Sequence, residues 1–513
     1  MILENGVVRT LDPSLPVARG LAIAGDRIAA GVGTHETALP TRDRIDLRGR
    51  CVLPGFTDSH VHFPTWALAQ REVRLEGAAS LGEALARVHR AAASVAPGSW
   101  LRGRGWRSGD WSPAAEPTKE ALDSATGAAP AALMARDGHS LWLNSAALAR
   151  ADGDLRVEGG VVELNERGEP TGILREESAW QFRDRYVQAS EAEYVEAMRA
   201  ALRLAAARGV TAVHDKDGGI GALRFWQRLH DDEALTLRVW QSLPHDRLGE
   251  IAALGLAAGF GSMLLRVGYL KVFMDGTLGS QTARLLSGSG IEITSRGELA
   301  EIVRDAARAG WAVAVHAIGD AANRDALDAF EETAPTWRPL GLRHRIEHAQ
   351  LLERDDVPRF ARLGVAASVQ FSHAPSDRDL ADRFWAGATD RAYAYRSLWE
   401  AGAVVANGSD APVEELDPLA GLQAAVLRTL DERPAWHPEQ ALTIEQALLA
   451  SCVNPAFLER AERRRGKLLP GYLADLVVLD RDPIACPPEE LPEIEVVATM
   501  MGGRWVHNGP PWD

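Results

Sequence analysis

Between residues 210 and 410 the chain alternates short apolar runs with segments whose apolar residues recur at helical spacing. This alternation limits the fold more than any other feature. Strands separated by helices pair in parallel and bury both faces of their sheet. Residues 299–308 (LAEIVRDAAR) carry an apolar helical stripe that stops at Gly310. Residues 311–316 (WAVAVH) then form a buried-strand run, and Gly319-Asp320 opens the next turn. Comparable strands are expected at 210–213, 267–273, 345–348, 365–369 and 403–406. With 56–60 as the first, they supply most of the strands of a distorted TIM-type (β/α)8 barrel, an α/β fold.

Both ends follow another pattern. Residues 6–10, 20–23 and 27–30, with a turn at Gly25-Asp26, are expected as short strands. Near the other end, 475–480 is a buried-strand run, and 496–501, Gly502-Gly503 and 504–506 form a hairpin pattern. One small β-sandwich domain built from residues 1–53 and 460–513 is therefore expected, around a barrel at 54–459. Residues 64–180 fit no βα repeat and are rich in Trp, Gly and Pro; they are expected as a subdomain inserted after the first barrel strand.

Composition narrows the function classes. A net charge of −15 argues against a general nucleic-acid or acidic-membrane binder, which needs a basic face. Three cysteines, Cys51, Cys452 and Cys486, lie too far apart in sequence for a thiolate metal knuckle and are too few for a disulfide framework. The opening residues 1–6 (MILENG) have neither a basic nor an apolar leader region, and no segment reaches the ~20 apolar residues that span a bilayer. The expectation is a cytoplasmic protein acting on a small molecule, with no nucleic-acid or membrane partner and with a homo-oligomer compatible with the sequence.

The local signal richest in chemistry is residues 54–62, PGFTDSHVH. On a strand, side chains two apart point the same way, so His60 and His62 present two imidazoles to one point. Imidazole suits zinc, iron and similar ions, although an H-x-H pair is also compatible with two surface histidines. His316 and His348 end later strands, and Asp410 follows the run 403–406. Catalytic groups of TIM barrels occupy this C-terminal edge. Taken singly, His316 and His348 also read as satisfied core histidines, and Asp410 as a helix N-cap before Ala411-Pro412. Jointly, residues of this kind at successive strand ends are hard to explain as packing. Lys271 lies inside an apolar strand, where it either pairs with Asp275 or loses its charge to burial. A neutral amine there can take up carbon dioxide as a carbamate, an oxygen ligand able to bridge two metal ions.

At this point the chain resembles the amidohydrolase superfamily, in particular the branch of metal-dependent hydrolases that includes N-substituted formamide deformylases. The resemblance is carried by PGFTDSHVHF (54–63), RDGHSLWLNSAAL (136–148), GEPTGILRE (168–176), LKVFMDGTLGSQTARL (270–285), VHAIGDAAN (315–323), RHRIEHAQ (343–350), GSDAPV (408–413), LTIEQAL (442–448) and GKLLPGYLADLVVLD (466–480). It implies His60, His62 and Asp410 on one divalent metal, zinc being the expected ion, and His316 and His348 on a second, bridged by carboxylated Lys271. It implies hydrolysis of a non-peptide C–N bond, an amide, N-acyl or N-formyl amine, by metal-activated hydroxide, with Asp410 carrying the proton from water to the leaving amine. A lactone, ester, cyclic amide or aminated ring on the same site is the alternative, and a catalytically inert scaffold relative the alternative of another class.

His139 is the candidate for a substrate contact or oxyanion donor, against a turn histidine bonded to backbone. Glu176 and Asp275 are candidates for orienting ligands. His214, with Asp215, ends the strand 210–213 and ranks below His139 as a site residue. Trp66, Trp100, Trp106, Trp111, Trp142 and Trp180 fall in or beside 64–180 and are read as the core of that subdomain before a substrate pocket.

Overall fold

The computed structural model describes residues 1–29, 43–96, 98–113, 115–135 and 140–512. Its central sheet has eight strands: β1 (Phe56–Val61), β2 (Val210–Asp215), β3 (Arg238–Pro244), β4 (Leu265–Phe273), β5 (Val313–Ala317), β6 (Arg345–His348), β7 (Ala366–Val369) and β8 (Val405–Asn407). They lie in chain order, each parallel to the next. The sheet nearly closes into a barrel. Across the seam, Ser59 Oγ donates to the Asn407 carbonyl (2.8 Å) and Asp410 N to the His60 carbonyl (2.7 Å). Residue 408 must be glycine here, because a Cβ would stand 2.4 Å from His60 N.

The expected barrel is the observed fold. The strand absent from the sequence reading is β3, whose Arg238, Gln241 and Ser242 are buried polar residues that interrupt any apolar run. Arg238 pairs with Asp475 and Gln241 Nε2 donates to the Asp215 and Ser242 carbonyls, so burial and hydrophobicity part company along this strand.

A bulge in β4 decides which of its side chains enter the barrel. Pairing with β3 shifts between Gln241↔Val267 and Leu243↔Leu270, and Tyr269 takes up the extra residue at φ +67°. Val267, Leu270 and Val272 therefore join the large apolar core, whereas Tyr269 packs with Trp240, Ala314, Ala366, Ala406 and Leu458 in a separate cluster. Lys271, two residues past Tyr269, shares that residue's side of the strand.

Residues from both termini form two further sheets. One has four strands in the order Arg27–Ile28, Leu21–Ala24, Ile2–Glu4, Arg44–Asp46; the other has six, in the order Arg504–His507, Val496–Met501, Leu476–Leu479, Cys51–Pro54, Val7–Arg9, Val17–Ala18. Strand alternation gives the six-stranded sheet two apolar faces. Val52, Leu476 and Val478 pack with Leu3, Leu21 and Ile23 in a core shared by the two sheets, while Cys51, Leu53, Val477 and Leu479 join the core of the barrel.

Contacts divide the chain into two compact units, one comprising Met1–Trp66 with Met198–Asp513 and the other Ala67–Ala197. The second holds a six-stranded sheet in the order Gly160–Leu164, Pro170–Glu176, Ser140–Leu143, Ala131–Ala135, Leu101–Trp106, Val73–Arg74. Trp106, Trp111 and Trp142 meet in its core at centroid distances of 6.0–6.4 Å, and Trp100 packs edge-on to Phe182. These four rings are packing, as the plainer reading expects; Trp66 belongs to the first unit and is buried there. The second unit runs past the expected end at residue 180, its last part held by an ion pair from Arg102 to Glu193 (3.1 Å).

Asp475 fastens the terminal sheets to the barrel. Its carboxylate receives Arg238 Nε and Nη2 of β3 (2.7 and 2.9 Å) and Gly502 N (2.8 Å), and its carbonyl receives Gly55 N (3.0 Å). Burial pushes the Asp475 carboxyl up, but the Arg238 charge outweighs it and holds the group below its ordinary value. The stabilisation is thus present at neutral pH and is lost as pH falls through the depressed folded value. Asp475→Ala leaves Arg238 buried without its counter-ion, at an expected cost of about 3–5 kcal/mol. Thermal denaturation followed by circular dichroism checks this; an unchanged Tm at pH 7 would contradict it.

Candidate metal centre

Parallel strands place all their C-terminal ends on one rim. His60 lies near the end of β1 with His62 just past it, Lys271 is in β4, His316 in β5, His348 closes β6 and Asp410 follows β8. The rim brings these distant residues together. Ring centroids are 5.7 Å apart for His60–His62, 4.7 Å for His60–His348 and 4.5 Å for His316–His348. Asp410 Oδ1 lies 3.3 Å from His60 Nε2 and 3.5 Å from His62 Nε2, and Oδ2 lies 3.9 Å from His348 Nδ1. Two of the residues that meet here, His348 (φ +74°) and Asp410 (φ +59°), have left-handed backbone, a conformation that L side chains adopt at a cost.

Neighbouring acceptors set which nitrogen each imidazole offers. His60 Nδ1–H points at Glu347 Oε2 (2.8 Å), His62 Nδ1–H at Asp217 Oδ1 (2.7 Å) and His348 Nδ1–H at Gln370 Oε1 (2.9 Å), so His60 and His348 keep a lone pair on Nε2, while His62 Nε2 faces Asp410 Oδ1 (3.5 Å). His316 is held the other way round, Nε2–H to the Gly276 carbonyl (3.0 Å), leaving Nδ1 bare. Asp217 is fixed in turn by Thr65 N (3.0 Å) and Thr65 Oγ1 (2.7 Å). His60 Nε2 is buried with no hydrogen-bond partner. An oriented imidazole lone pair without a partner, beside a carboxylate, suits a cation, and His60, His62 and Asp410 have donor atoms close enough to share one.

Charge favours the same use. Burial pulls His60 and His316 down to about 4 and His348 well below its ordinary value, so these rings are neutral near pH 7. Burial works against a charged His62, but hydrogen bonds to Asp217 and Asp410 outweigh it and raise the group to about 10. A cation that displaces this proton meets the same two carboxylates. Burial also opposes ionisation of Asp410, yet His60, His62, His348 and His373 hold it well below the carboxylate range. Lys271 is drawn down by burial, against the opposing pull of Glu347 and Asp410. Its Nζ lies 4.8 Å from the Phe273 ring centroid.

Several plainer readings are not realised. Asp275 spends its carboxylate on the backbone N–H groups of Arg284, Ile318 and Gly319 (2.9–3.0 Å) instead of pairing with Lys271. It also stands 3.7 Å from His316 Nε2, beside a proposed ligand. Asp410 caps no helix: 411–413 form a turn, and the next helix, Pro418–Leu427, is capped by Asp417. His214 is a barrel-core histidine whose Nδ1 accepts from Arg345 Nη1 (3.0 Å), with Nε2 3.9 Å from Glu459; the adjoining Asp215 accepts from Trp226 Nε1 (2.6 Å) and Asp217 N (2.9 Å). Glu176 ends a strand of the second unit at φ +51°. His139 lies outside the described residues.

The sequence reading misses His373, whose Nε2 is 3.9 Å from Asp410 Oδ2. It follows β7 as the other histidines follow their strands, so its position in FSHAP after the run 365–369 was the available signal. It also misses Glu347, Asp217 and Gln370, because an acceptor behind a ligand has no spacing rule to give it away.

The model of the amidohydrolase family matches residues 43–507. The chain belongs to the amidohydrolase family. It is accordingly a hydrolase of that family. YtcJ of Bacillus subtilis, which carries the amidohydrolase name, is 29% identical over 94% of this chain and 94% of its own. The N-substituted formamide deformylase of Arthrobacter pascens is 27% identical over 98% of this chain and 97% of its own. Among solved structures, a metal-dependent hydrolase of Pyrococcus furiosus superposes with a TM-score of 0.80 at 29% identity, covering 94% of this chain and 99% of that one.

Asp217→Ala removes the group that orients His62 while leaving the imidazole in place. Divalent-cation affinity is expected to fall about 10- to 100-fold, measured by competition with a chromogenic chelator. Unchanged affinity would separate His62 from cation binding.

Proposed function

We propose that this protein hydrolyses a non-peptide C–N bond of a small molecule, an N-formyl or N-acyl amine, at a centre of one or two divalent cations, with zinc the first candidate. The observation that carries this reading is the convergence of oriented, neutral imidazoles on an ionised carboxylate. The likeness to a formamide deformylase along nearly the whole chain supports the choice of bond. His60, His62 and Asp410 would hold one cation and His316 with His348 a second. Lys271, buried and shifted toward the neutral amine, suits attack on carbon dioxide; its nitrogen would bond to that carbon and release a proton, leaving a carbamate as the bridge.

When bound, divalent cations supply Lewis acidity that acidifies water and polarises the attacked carbonyl. Asp410 does the proton work. Its ionised carboxylate takes a proton from the attacking water and passes it to the departing nitrogen, so that water oxygen bonds to the acyl carbon as the C–N bond breaks and the amine leaves neutral. Two apolar side chains stand beside this group. Phe273 packs 5.2 Å from the His316 ring yet is 42% exposed, and Val413, three residues after Asp410, is 66% exposed. Both suit a hydrophobic substituent on the substrate nitrogen. Among the described residues no helix is long and apolar enough to cross a membrane.

The test is hydrolysis of N-formyl and N-acetyl derivatives of hydrophobic amines, with acid and amine released in equal amounts. Chelation should abolish turnover, and Asp410→Asn should lower kcat about 10²- to 10⁴-fold. Turnover confined to esters and lactones, or unaffected by Asp410→Asn, would contradict the proposal.

A further inference from the structure

Among the described residues four imidazoles lie 3.3–3.9 Å from Asp410, a fifth, His316, packs on one of them, and His373 is wired in the opposite sense to the rest. His60, His316 and His348 each give their N–H to an oxygen and keep a bare nitrogen, and His62 gives its Nδ1–H to Asp217 with Nε2 toward Asp410. His373, in the short helix His373–Ser376 after β7, instead has its Nδ1 lone pair taken by the Gln350 side-chain amide, whose Nε2 donates at 3.1 Å. A neutral imidazole carries one ring N–H, so with Nδ1 accepting, the proton sits on Nε2. That Nε2 is buried, lacks a hydrogen-bond partner and lies 3.9 Å from Asp410 Oδ2. The ring is parallel to that of His348, 6.3 Å away at 2°. A lone pair binds a cation; an N–H does not. Yet His348, His373 and Asp410 have atoms close enough to look like a metal triad.

We propose that His373 is no metal ligand but the N–H donor that receives the substrate's carbonyl oxygen, with Gln350 as the residue that positions it; this rests on the hydrolytic reading above. As water oxygen bonds to the acyl carbon, the carbonyl π pair moves onto oxygen, and Nε2–H of His373 holds the developing negative charge. When that pair returns, the C–N bond breaks and nitrogen leaves with the proton carried by Asp410. His373 gains and loses no proton in the cycle. A fixed donor aimed at developing charge in a buried site contributes about 10²- to 10³-fold to kcat. The Gln350 backbone carbonyl receives Tyr393 N (2.6 Å), while its side-chain Oε1 is buried without a partner among the described residues.

The experiment compares the parent enzyme with His373→Ala, His373→Asn, Gln350→Glu and His348→Ala, measuring bound zinc, Tm, kcat and KM on an N-formyl amine. Expected for His373→Ala is parental zinc content, a kcat about 10²- to 10³-fold lower and a much smaller change in KM. His373→Asn, whose amide N–H can donate, should recover part of kcat. Gln350→Glu places an acceptor at Nδ1, turns the N–H away from Asp410 and should lose kcat like His373→Ala while keeping its zinc. Loss of zinc in His373→Ala to the extent seen in His348→Ala would make His373 a ligand and overturn the proposal, as would an unchanged kcat. A parent that binds zinc but cleaves no amide would overturn the hydrolytic reading and this assignment with it. Zinc retention in folded His373→Ala, alongside an active parent, separates the two failures.

Discussion

A single buried carboxylate joins the interior of the barrel to its functional rim. Glu347 Oε1 lies 2.7 Å from Arg345 Nε and 3.1 Å from Lys216 Nζ, and Oε2 is 2.8 Å from His60 Nδ1. Burial opposes its charge, but Arg345 and His60 outweigh burial and hold Glu347 well below the carboxylate range. Any one of these charges alone would be costly in a barrel interior, and together they compensate one another. The consequence reaches the rim, because the acceptor that neutralises Arg345 and Lys216 also fixes the His60 tautomer and aims Nε2 at Asp410. Core electrostatics and ligand geometry are therefore one arrangement. Changing Glu347 would disturb both at once, whereas Asp217 acts on His62 at the barrel rim.

The barrel was legible in the sequence because its outward-facing residues form apolar runs that alternate with helices. Lys271 was legible as an anomaly within such a run, although its inward direction depends on the bulge at Tyr269, which no local pattern announces. β3 was hidden because Arg238, Gln241 and Ser242 are buried polar residues, and Asp475, the carboxylate that pairs with Arg238, lies far away in sequence. The same physics divides the site. The histidines and Asp410 could be found because each ends a strand-like run. Glu347, Asp217, Gln350 and Gln370 could not, since an acceptor behind an imidazole is defined only by the folded distance. His373 falls between these cases, placed after a strand like the others but followed by a short helix whose pattern looks ordinary.

Orientation, more than residue type, separates the roles at the rim. Similar side chains surround Asp410, and in the roles we propose a cation ligand differs from a hydrogen-bond donor in whether the group behind the ring is an oxygen or an amide N–H. This explains why a carboxylate and two side-chain amides lie immediately behind His60, His348 and His373. Strained backbone at His348 and Asp410 fits the same picture, because ladder geometry alone would not direct these side chains to one point.

In the function we propose, this rim holds divalent cations through the histidines and Asp410. Elemental analysis of the purified chain beside its His60→Ala variant tests it most directly. Stoichiometric zinc or a similar divalent ion is expected in the parent, with a clear loss in the variant. A parent that retains no metal, even after reconstitution with zinc and bicarbonate, or a variant that binds as much as the parent, would contradict it.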